Sequence, residues 1–392
     1  MPQVDPPSAA DLRVDVASSL AGVTADAWNA LVPARYPFLR YAFLRGLEQH
    51  GCLGERFGWL PQHLLMRDAR GRLVAAAPLY LKFNSYGEFV FDWSWADAYR
   101  RAGLEYYPKL VSASPYTPAT GPKLLCAPDA PADTRARLVE AGLGLARELR
   151  VSSLHWLFTT NEETDTLEDL GFARRLGCQF HWDNRGYRDF ADFLGSFSSA
   201  KRKKVLRERR RVSEQHIELR RLHGGEAGEA HWATFHRLYE STFDKRGGLP
   251  TLSLDFFLAL AEQAPETVLL VAAYAGPRMV AAAFDLVGED SLYGRHWGCF
   301  ADYHSLHFEA CYYQGLDYCI ERGLARFEPG AQGEHKISRG FMPTATWSAH
   351  WLANPGFATA VGQFLEHETE GMREYMRELA ERSPYRSEEP AG

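Results

Sequence analysis

Two six-residue segments about two hundred residues apart are nearly identical. Residues 72–77 read Arg-Leu-Val-Ala-Ala-Ala, and residues 278–283 read Arg-Met-Val-Ala-Ala-Ala. Each follows an apolar run and a Gly/Pro turn, and each precedes an aromatic segment, at 89–95 and 291–297, that predicts a further strand. An internal repeat constrains the architecture of a chain before any other feature does. We therefore expect two copies of one α/β unit.

The length and the cysteine content fit a two-domain protein of a reducing compartment. The chain has 392 residues, which is enough for two domains. Its six cysteines are scattered and form no Cys-x-x-Cys pair, so we predict a cytoplasmic protein. The first residues lack the features of a signal peptide, and the longest apolar runs have only the length of strands. We therefore expect no transmembrane segment.

One short segment is strongly basic in an otherwise acidic chain. The net charge is −6, yet residues 201–211 contain eight basic residues and one acid. This segment lies in a predicted helix over 189–216, and we place the link between the domains there. The predicted organisation is a first domain over 1–190, a basic linking helix over 191–223 and a second domain over 224–392.

The basic segment has three interpretations. A positive helix face binds phosphate groups, either in tRNA or in a nucleotide-linked precursor. It also attracts an anionic membrane surface, which would give a peripheral membrane contact. A solvated helix that only aids solubility explains the charge equally well. The residues that we expect to bind phosphate are Lys201, Arg202, Lys203 and Lys204.

The order of predicted elements is the same in both halves: two helices, three antiparallel strands, a helix and a further strand. In the second half the three strands lie within 267–299, the helix covers 306–322 and the last strand covers 324–328. This order resembles the GNAT fold of GCN5-related N-acetyltransferases. Two such units in tandem resemble the Fem family of peptidoglycan-bridge aminoacyltransferases. The resemblance implies an α/β fold of tandem GNAT-like domains, with mixed sheets flanked by helices.

The segment after the last of these strands carries the most specific likeness. Fem-type proteins have an acid and glycines at the end of a strand, then a Phe-Lys pair shortly before a Phe-Gly. Glu328 and Gly330 stand at the acid and the first glycine, and the second glycine is Ala331 here. Lys336 falls at the lysine of the family, and His335 falls at its Phe. The whole chain most resembles a FemAB-like group of N-acyltransferases associated with peptidoglycan biosynthesis or recognition.

The acyl donor stays open at this point. GNAT enzymes that use acetyl-CoA hold its pyrophosphate in a glycine-rich loop before a helix. Residues 298–306 occupy that place and contain no Gly-x-Gly. We therefore expect no bound cofactor, and the donor substrate is either an acyl-CoA or an aminoacyl-tRNA.

Residues 328–341 are the strongest candidate site, because polar and charged side chains surround glycines there without any hydrophobic period. Acyl transfer to an amine needs a base for the amine and a donor for the oxyanion. We expect Lys336 to stabilise the oxyanion and Glu334 or His335 to act as the base. Gln332 and Arg339 are expected to bind substrate. A solvated loop with a structural ion pair is the alternative.

Two further groups complete the predicted site. In the strand over 291–297, Arg295 would bind an anionic group and His296 would act as a base or a contact, unless both are structural. An aromatic wall with two carboxylates would bind the acceptor, unless it packs in the core. The residues of this wall are Asp92, Trp93, Trp95, Asp97 and Tyr116. No metal site is predicted, because His304 and His307 lack a third ligand at the needed spacing.

The sequence therefore favours a Fem-like N-acyltransferase that acts on an amine, either a small molecule or a cell-wall precursor. Two other classes of function remain. A recognition module for a cell-wall or nucleotide-linked precursor would keep the aromatic wall and need no donor. An RNA-binding protein would depend on the basic segment.

Overall fold

The computed structural model of the chain describes residues 12–33, 36–331 and 333–386. Its internal contacts divide the chain into two units. The first unit comprises Met1–Gly177 and Ala345–Arg373, and the second comprises Cys178–Thr344 and Glu374–Gly392. This division differs from the predicted boundaries, because residues 345–373 belong with the first unit rather than with the second.

The chain up to residue 183 contains nine strands and five helices among its described residues. The strands are β1 (Arg13–Ala17), β2 (Trp59–Pro61), β3 (His63–Arg67), β4 (Leu73–Ala77), β5 (Tyr80–Lys82), β6 (Lys109–Ser112), β7 (Leu125–Cys126), β8 (Ser153–Thr159) and β9 (Ala173–Asp183). The helices are α1 (Ala25–Asn29), α2 (Tyr41–Gln49), α3 (Trp93–Arg101), α4 (Thr134–Glu148) and α5 (Asn161–Asp169).

The rest of the described chain begins with a short helix and a basic helix of 16 residues, and it ends with a long helix. The helices are α6 (Phe190–Gly195), α7 (Ser199–Glu214), α8 (Glu229–Arg246), α9 (Leu254–Gln263), α10 (Leu306–Phe308), α11 (Gln314–Arg322) and α12 (Pro355–Glu381). The strands are β10 (Ile217–His223), β11 (Val268–Ala275), β12 (Arg278–Val287), β13 (Ser291–Cys299), β14 (Arg326–Glu328) and β15 (Met342–Leu352). A π-helical turn, Glu309–Tyr313, joins α10 to α11.

Two sets of strands build the first unit. β1, β3, β4 and β7 form an antiparallel sheet in that order. In the other set β8 pairs with β6 in parallel and with β15 in antiparallel orientation. The apolar face of α4, with Leu138 and Val139, packs on Leu64, Val74 and Trp156 in the core. The Leu/Ala-rich spacing of α4 is thus explained by burial of one helix face.

The second unit is built on an antiparallel meander from β10 to β13. β14 continues the sheet in parallel with β13, and the end of β9 pairs with β14. Leu269, Leu292 and Phe327 of these strands pack against Tyr313 and Leu316 of the helical segment over 306–322. The predicted helix over 306–322 is confirmed, with the π-helical turn in its middle.

The internal repeat corresponds to the same hairpin in both units. Val74 of β4 has no partner in β3, because Leu73 pairs with Arg67 and Ala75 with Met66. In the second unit Val280 is skipped in the same way between Met279 and Ala281. A β-bulge is a specific feature of a strand pair, so its recurrence in the two copies indicates one shared template.

The next strand also repeats in register. Cys126 of β7 pairs with Ala75, and Cys299 of β13 pairs with Ala281. Both units therefore contain helices, a meander, a helix and a final strand in the predicted order, but β5, α3 and β6 precede the third strand of the first meander.

Two sequence-based assignments of secondary structure are corrected. The predicted strand over 89–95 is wrong: Phe89 has a positive φ of 61°, and helix α3 begins at Trp93. The third strand of the first meander is instead β7. Residues 191–223 do not form one linking helix, because β10 pairs with β11 along its whole length. Alternating apolar and polar residues over 217–220 are the signal for this edge strand.

Candidate active site

The candidate site lies where two parallel strands stop pairing. β13 and β14 are paired only from Ser291–Tyr293 to Arg326–Glu328. Directly afterwards β13 contains a bulge, because Phe284 pairs with His296 but Asp285 pairs with Gly294. A Cβ atom on Gly294 would lie 3.1 Å from the Cα atom of Pro329. Glycine at 294 therefore lets the segment after β14 run close against the bulge.

Lys336 is buried beside this point. It lies on a short 3₁₀ helix, Glu334–Arg339, and only 2% of its surface is exposed. Its Nζ atom donates a hydrogen bond of 2.7 Å to the carbonyl oxygen of Gly330. Burial lowers the pKa of Lys336 to about 7. The side chain therefore exists as both ammonium and amine near neutral pH, unlike an exposed lysine.

Sequence reasoning missed two residues of the same unit, Cys311 and Asp285. Cys311, in the π-helical turn, interacts electrostatically with Lys336 and with Asp285. Asp285 is 2% exposed, and its Oδ2 atom has no hydrogen-bond partner among the described residues. Burial raises the pKa of Asp285 well above its usual value, because it disfavours the charged carboxylate. The signal in the sequence was a single acid in the apolar strand over 278–287.

The two residues expected to act as the base bind other groups. Glu334 is exposed and accepts hydrogen bonds from Tyr375 Oη at 3.0 Å and from Arg382 Nη1 at 2.8 Å. The imidazole of His335 lies 2.9 Å from the hydroxyl oxygen of Tyr312. Partial burial and then the nearby cations lower the pKa of His335. Glu334 and His335 are the two residues before Lys336 in the chain. In the structure Glu334 binds Tyr375 and Arg382, and His335 contacts Tyr312.

Arg339 has a different environment from the one expected of a substrate ligand. It is 2% exposed, and its Nη2 atom donates to Oε1 of Glu208 at 2.8 Å. Its guanidinium also stacks over the ring of Phe308 at 3.4 Å from the centroid. Glu208 accepts a second hydrogen bond from the Tyr313 hydroxyl. This buried network fixes the 3₁₀ helix against α7.

Arg295 and His296 lie at the bulge of β13. The ring of His296 is surrounded by Tyr239, Phe257 and Phe284, with centroids 4.9, 6.5 and 6.2 Å away. Although part of its surface stays accessible, burial among these rings, and then Arg295, lower the pKa of His296 to about 3. His296 is therefore neutral at physiological pH, and it is a weak proton acceptor in this state.

The basic helix α7 lies beside the candidate site, which was not foreseen. Lys204 Nζ donates to Ser338 Oγ at 3.3 Å, and Lys204 interacts electrostatically with Arg339. Lys203 is exposed, and Lys201 and Arg202 are partly exposed. Arg209 on the same helix is paired with Glu309 at 3.0 Å and with Asp317 at 2.8 Å, so its charge is neutralised. The predicted phosphate-binding residues and Lys336 thus lie in one unit.

The predicted aromatic wall of the first unit is not one surface. Trp93 is 52% exposed, whereas Trp95 is buried against the rings of His155 and His350. Tyr116 is buried and donates from its hydroxyl to the carbonyl oxygen of Cys52 at 2.7 Å. The residues separate because 93–95 belong to a helix, which turns Trp93 and Trp95 to different sides.

The two carboxylates of that wall also differ. Asp97 is a surface residue that pairs with Arg100 and Arg101. Asp92 is buried, and its Oδ2 atom accepts hydrogen bonds from Lys109 Nζ and, at 2.6 Å, from Tyr106 Oη. Burial alone would raise the pKa of Asp92, but Lys109 and its hydrogen bonds hold it at about 2. Gln332, the remaining predicted ligand, lies outside the described residues.

Within residues 12–33, 36–331 and 333–386, no three His, Cys, Asp or Glu side chains are grouped so that they could hold a metal ion. In the same residues no helix is both long and apolar enough to cross a bilayer.

Comparison with known proteins identifies the fold and the family. No curated protein matches the chain in sequence. FemX is similar in structure, with a TM-score of 0.54 and 11% identity over 87% of this chain and 98% of that chain. The C-terminal domain (DUF2156) of a protein assigned as a lysylphosphatidylglycerol synthetase from Agrobacterium fabrum has a TM-score of 0.54 and 10% identity over 86% and 94% of the two chains. These similarities confirm the tandem GNAT-like α/β fold. Residues 19–387 match the FemAB-like family of peptidoglycan biosynthesis/recognition, and the chain therefore belongs to this family.

Proposed function

We propose that the protein is an N-acyltransferase that transfers an acyl or aminoacyl group to an amine acceptor at the second unit. The observation that carries the proposal is the buried Lys336, whose pKa is lowered to about 7, at the point where β13 and β14 stop pairing. Strongly perturbed lysines at such points of a fold are characteristic of functional sites. The match to the FemAB-like family supports the same reaction class.

The chemistry follows from the charge that acyl transfer develops. The amine nitrogen attacks the carbonyl carbon of the donor, and a tetrahedral intermediate with an oxyanion forms. The ammonium form of Lys336 would turn from the carbonyl oxygen of Gly330 and donate to this oxyanion. The C–N bond then replaces the bond to the leaving group, and the amine gives up one proton to a base while the leaving group departs. His335 or Glu334, which lie nearest in the chain, are the proposed acceptors of that proton.

The basic helix supports a donor that carries phosphate groups. Lys204 contacts Ser338, two residues from Lys336, and further cations of α7 are exposed. Both candidate donors, acyl-CoA and aminoacyl-tRNA, carry phosphates that such a helix would bind. Of the two donors, we propose aminoacyl-tRNA, because of the similarity to FemX and to the Agrobacterium protein assigned as a lysylphosphatidylglycerol synthetase.

The family description supports a peptidoglycan precursor as the acceptor. We place the reaction in the cytoplasm, and the six free thiols of the structure fit a reducing compartment. Arg295, at the bulge of β13, is the proposed ligand for an anionic group of one of the substrates.

A second candidate function is recognition of a precursor without catalysis. It is favoured by one specific observation: Glu334 and His335 bind Arg382 and Tyr312 rather than Lys336. A site without a base would bind its ligand but turn over slowly.

Transfer and binding can be measured on the same protein. The purified chain is incubated with an amine-bearing peptidoglycan precursor and with either acetyl-CoA or aminoacyl-tRNA, and the mass of the precursor is followed. We expect a mass increase of one acyl or aminoacyl group with one of the two donors. A thermal shift with the precursor alone, without any mass change under either donor, would support recognition instead. Binding of tRNA alone, lost at high salt and without transfer, would support an RNA-binding protein.

A further inference from the structure

The segment between β5 and α3 in the first unit exposes only aromatic side chains among its large residues. Within 83–93 the exposed side chains occur at every second or third position, and all of them are rings. They are Phe83 (49% exposed), Tyr86 (71%), Phe89 (39%), Phe91 (46%) and Trp93 (52%). We call residues 83–93 the aromatic loop. A cluster of this kind on a protein surface marks an interaction site.

The aromatic loop is held from inside by a buried lysine. Lys109 is fully buried, and its Nζ atom donates to Ser85 Oγ at 2.9 Å, to Glu88 Oε2 at 2.7 Å and to Asp92 Oδ2. Ser85, Glu88 and Asp92 are themselves buried, so they point inward while their neighbours point outward. The rings are therefore exposed by a fixed backbone conformation and not by a lack of packing.

Further contacts fix the tip of the loop. The carbonyl oxygen of Tyr86 accepts hydrogen bonds from Lys82 Nζ at 3.0 Å and from Trp59 Nε1 at 3.2 Å. Gly87 has a φ of +79°, and a Cβ atom there would lie 2.6 Å from the ring of Tyr116. Tyr116, which the sequence predicted as a substrate ligand, thus supports the loop from below. A preorganised surface loses little conformational entropy when it binds.

The charge distribution of the loop limits its partner. Both of its acids, Glu88 and Asp92, are turned inward and bound to Lys109. The outer surface of the described segment 83–93 therefore carries no charged side chain. On the following helix, Arg100 and Arg101 are largely exposed, with Asp97 as their single shared partner. The surface is apolar with a positive border, so it can contact a neutral lipid surface, and anionic lipid would add to the attraction without being required.

The exposed rings do not form one flat platform. Tyr86 and Trp93 are inclined at 60° to each other, and Phe91 and Trp93 at 46°. An uneven set of rings suits a fluid surface better than one extended flat ligand. Tryptophan, tyrosine and phenylalanine side chains together are the residues that partition into the headgroup region of a bilayer, where ring orientation is unrestricted.

We propose that the aromatic loop inserts into the interfacial region of a lipid bilayer and docks the protein at a membrane surface. This inference is independent of the proposed transferase activity, because it rests on the first unit alone. It also differs from attraction through α7, since insertion of rings does not require anionic lipid.

The test compares the wild-type chain with two triple variants. The loop variant carries Phe83→Ser, Phe91→Ser and Trp93→Ser. The control variant removes three exposed apolar residues of comparable exposure elsewhere, Leu249→Ser (47%), Phe300→Ser (38%) and Phe364→Ser (46%). All six positions are exposed, so both variants should keep the far-UV circular dichroism spectrum and the thermal transition of the wild type.

Binding is measured by co-sedimentation with phosphatidylcholine vesicles, with and without phosphatidylglycerol, at about 0.1 M and about 1 M salt. We expect wild type and control to bind both kinds of vesicle and to keep binding phosphatidylcholine at high salt. The loop variant should lose at least about tenfold in partitioning, because the affinity of interfacial insertion scales with buried apolar area. Brominated lipid should also quench a part of the tryptophan fluorescence that Trp93→Phe lacks.

Three results would overturn the proposal. The first is no sedimentation of the wild type with phosphatidylcholine vesicles; binding only to anionic vesicles at low salt would in that case assign the contact to α7. The second is equal binding by wild type and the loop variant. The third is binding of soluble N-acetylglucosamine oligomers, or dimerisation in analytical ultracentrifugation, that the loop variant abolishes while vesicle binding is absent. This last result would assign the loop to a glycan or to a second copy of the chain.

Discussion

Lys336 and Gly330 are joined by a hydrogen bond of 2.7 Å from the buried lysine Nζ atom to the glycine carbonyl oxygen. Gly330 has a φ of +92°, which a residue with a side chain rarely adopts, so the position of its carbonyl oxygen depends on glycine. The ammonium group of Lys336 thus has a neutral partner, the carbonyl oxygen of Gly330, and burial disfavours its charge. A neutral partner binds an ammonium less strongly than an anion does. An oxyanion formed nearby would therefore compete successfully for the same proton donor.

This relationship predicts the effect of removing the amine. Lys336→Met keeps the length of the side chain but has no proton donor, so we expect turnover to fall by about a hundred- to a thousand-fold while substrate binding remains. Lys336→Arg should restore little of the rate, because the planar guanidinium places its charge differently. Lys245→Met, at an exposed lysine of α8 outside the proposed site, is the matched control and should keep the wild-type turnover. Wild-type turnover in Lys336→Met would exclude this lysine from the reaction.

The pKa of Lys336 also predicts a pH dependence of stability. Burial lowers the pKa from 10.5 to about 7 in the folded protein. Below about pH 7 both folded and unfolded chains carry the charge, so the full cost of burying it is present. Between about pH 7 and 10.5 the unfolded chain binds the proton and the folded chain does not, so stability rises with pH.

Lys336→Met lacks this titration. Its advantage in unfolding free energy over the wild type should therefore shrink as the pH rises, by at most about 1.4 kcal/mol per pH unit within that window. Denaturant unfolding of both proteins across this range measures the difference. A difference that does not change with pH would show that Lys336 titrates as an ordinary exposed lysine.

The sequence predicted the fold well where strands and helices have regular patterns. The repeat at 72–77 and 278–283 identified equivalent hairpins, down to a shared bulge at Val74 and Val280. It failed at 89–95, because Asp92 in that segment and Glu88 just before it turn inward to bind Lys109, which lies 17 residues beyond Asp92. A pairing between distant residues has no local signature in the chain. The strand was therefore predicted from the aromatic composition of the segment, but Phe89, Phe91 and Trp93 are exposed on the surface.

The site was predicted only in part, for a similar reason. Lys336 could be identified from its likeness to the family lysine. Its burial could not be predicted, because burial depends on the packing of the helical segment over 306–322. Arg339 is a residue type that often binds an anionic ligand, but its guanidinium is paired with Glu208 of α7. Asp285 was missed because an isolated acid in a strand gives no indication of its partners. Each of these outcomes is decided by contacts between segments far apart in sequence.

The buried pair of Arg339 and Glu208 predicts a loss of stability rather than a loss of affinity. Glu208→Ala would leave the guanidinium buried without its carboxylate and should lower the unfolding free energy by about 3–5 kcal/mol. Glu214→Ala, two turns further along α7 and 63% exposed, is the control and should change it by less than about 0.5 kcal/mol. Chemical denaturation measures both. If Glu208→Ala is as stable as the control, the pair does not fix the 3₁₀ helix.

Helix α7 carries two kinds of cation. Lys201, Arg202, Lys203 and Lys204 have accessible charges, whereas Arg209 is paired with Glu309 and Asp317. Each cation that contacts a phosphate releases about one counterion from the nucleic acid, so affinity for tRNA should fall with salt. Changing the four residues to Ala should weaken binding at low salt and reduce the slope of log K against log salt by up to about three.

Arg209→Gln should leave that slope unchanged, because the charge it removes is already neutralised within the protein. Fluorescence anisotropy with labelled tRNA at several salt concentrations measures all three proteins. Equal slopes for wild type and the fourfold variant would mean that these cations only solvate the helix. A reduced slope in Arg209→Gln would instead mean that its ion pairs open when the phosphate-bearing partner binds.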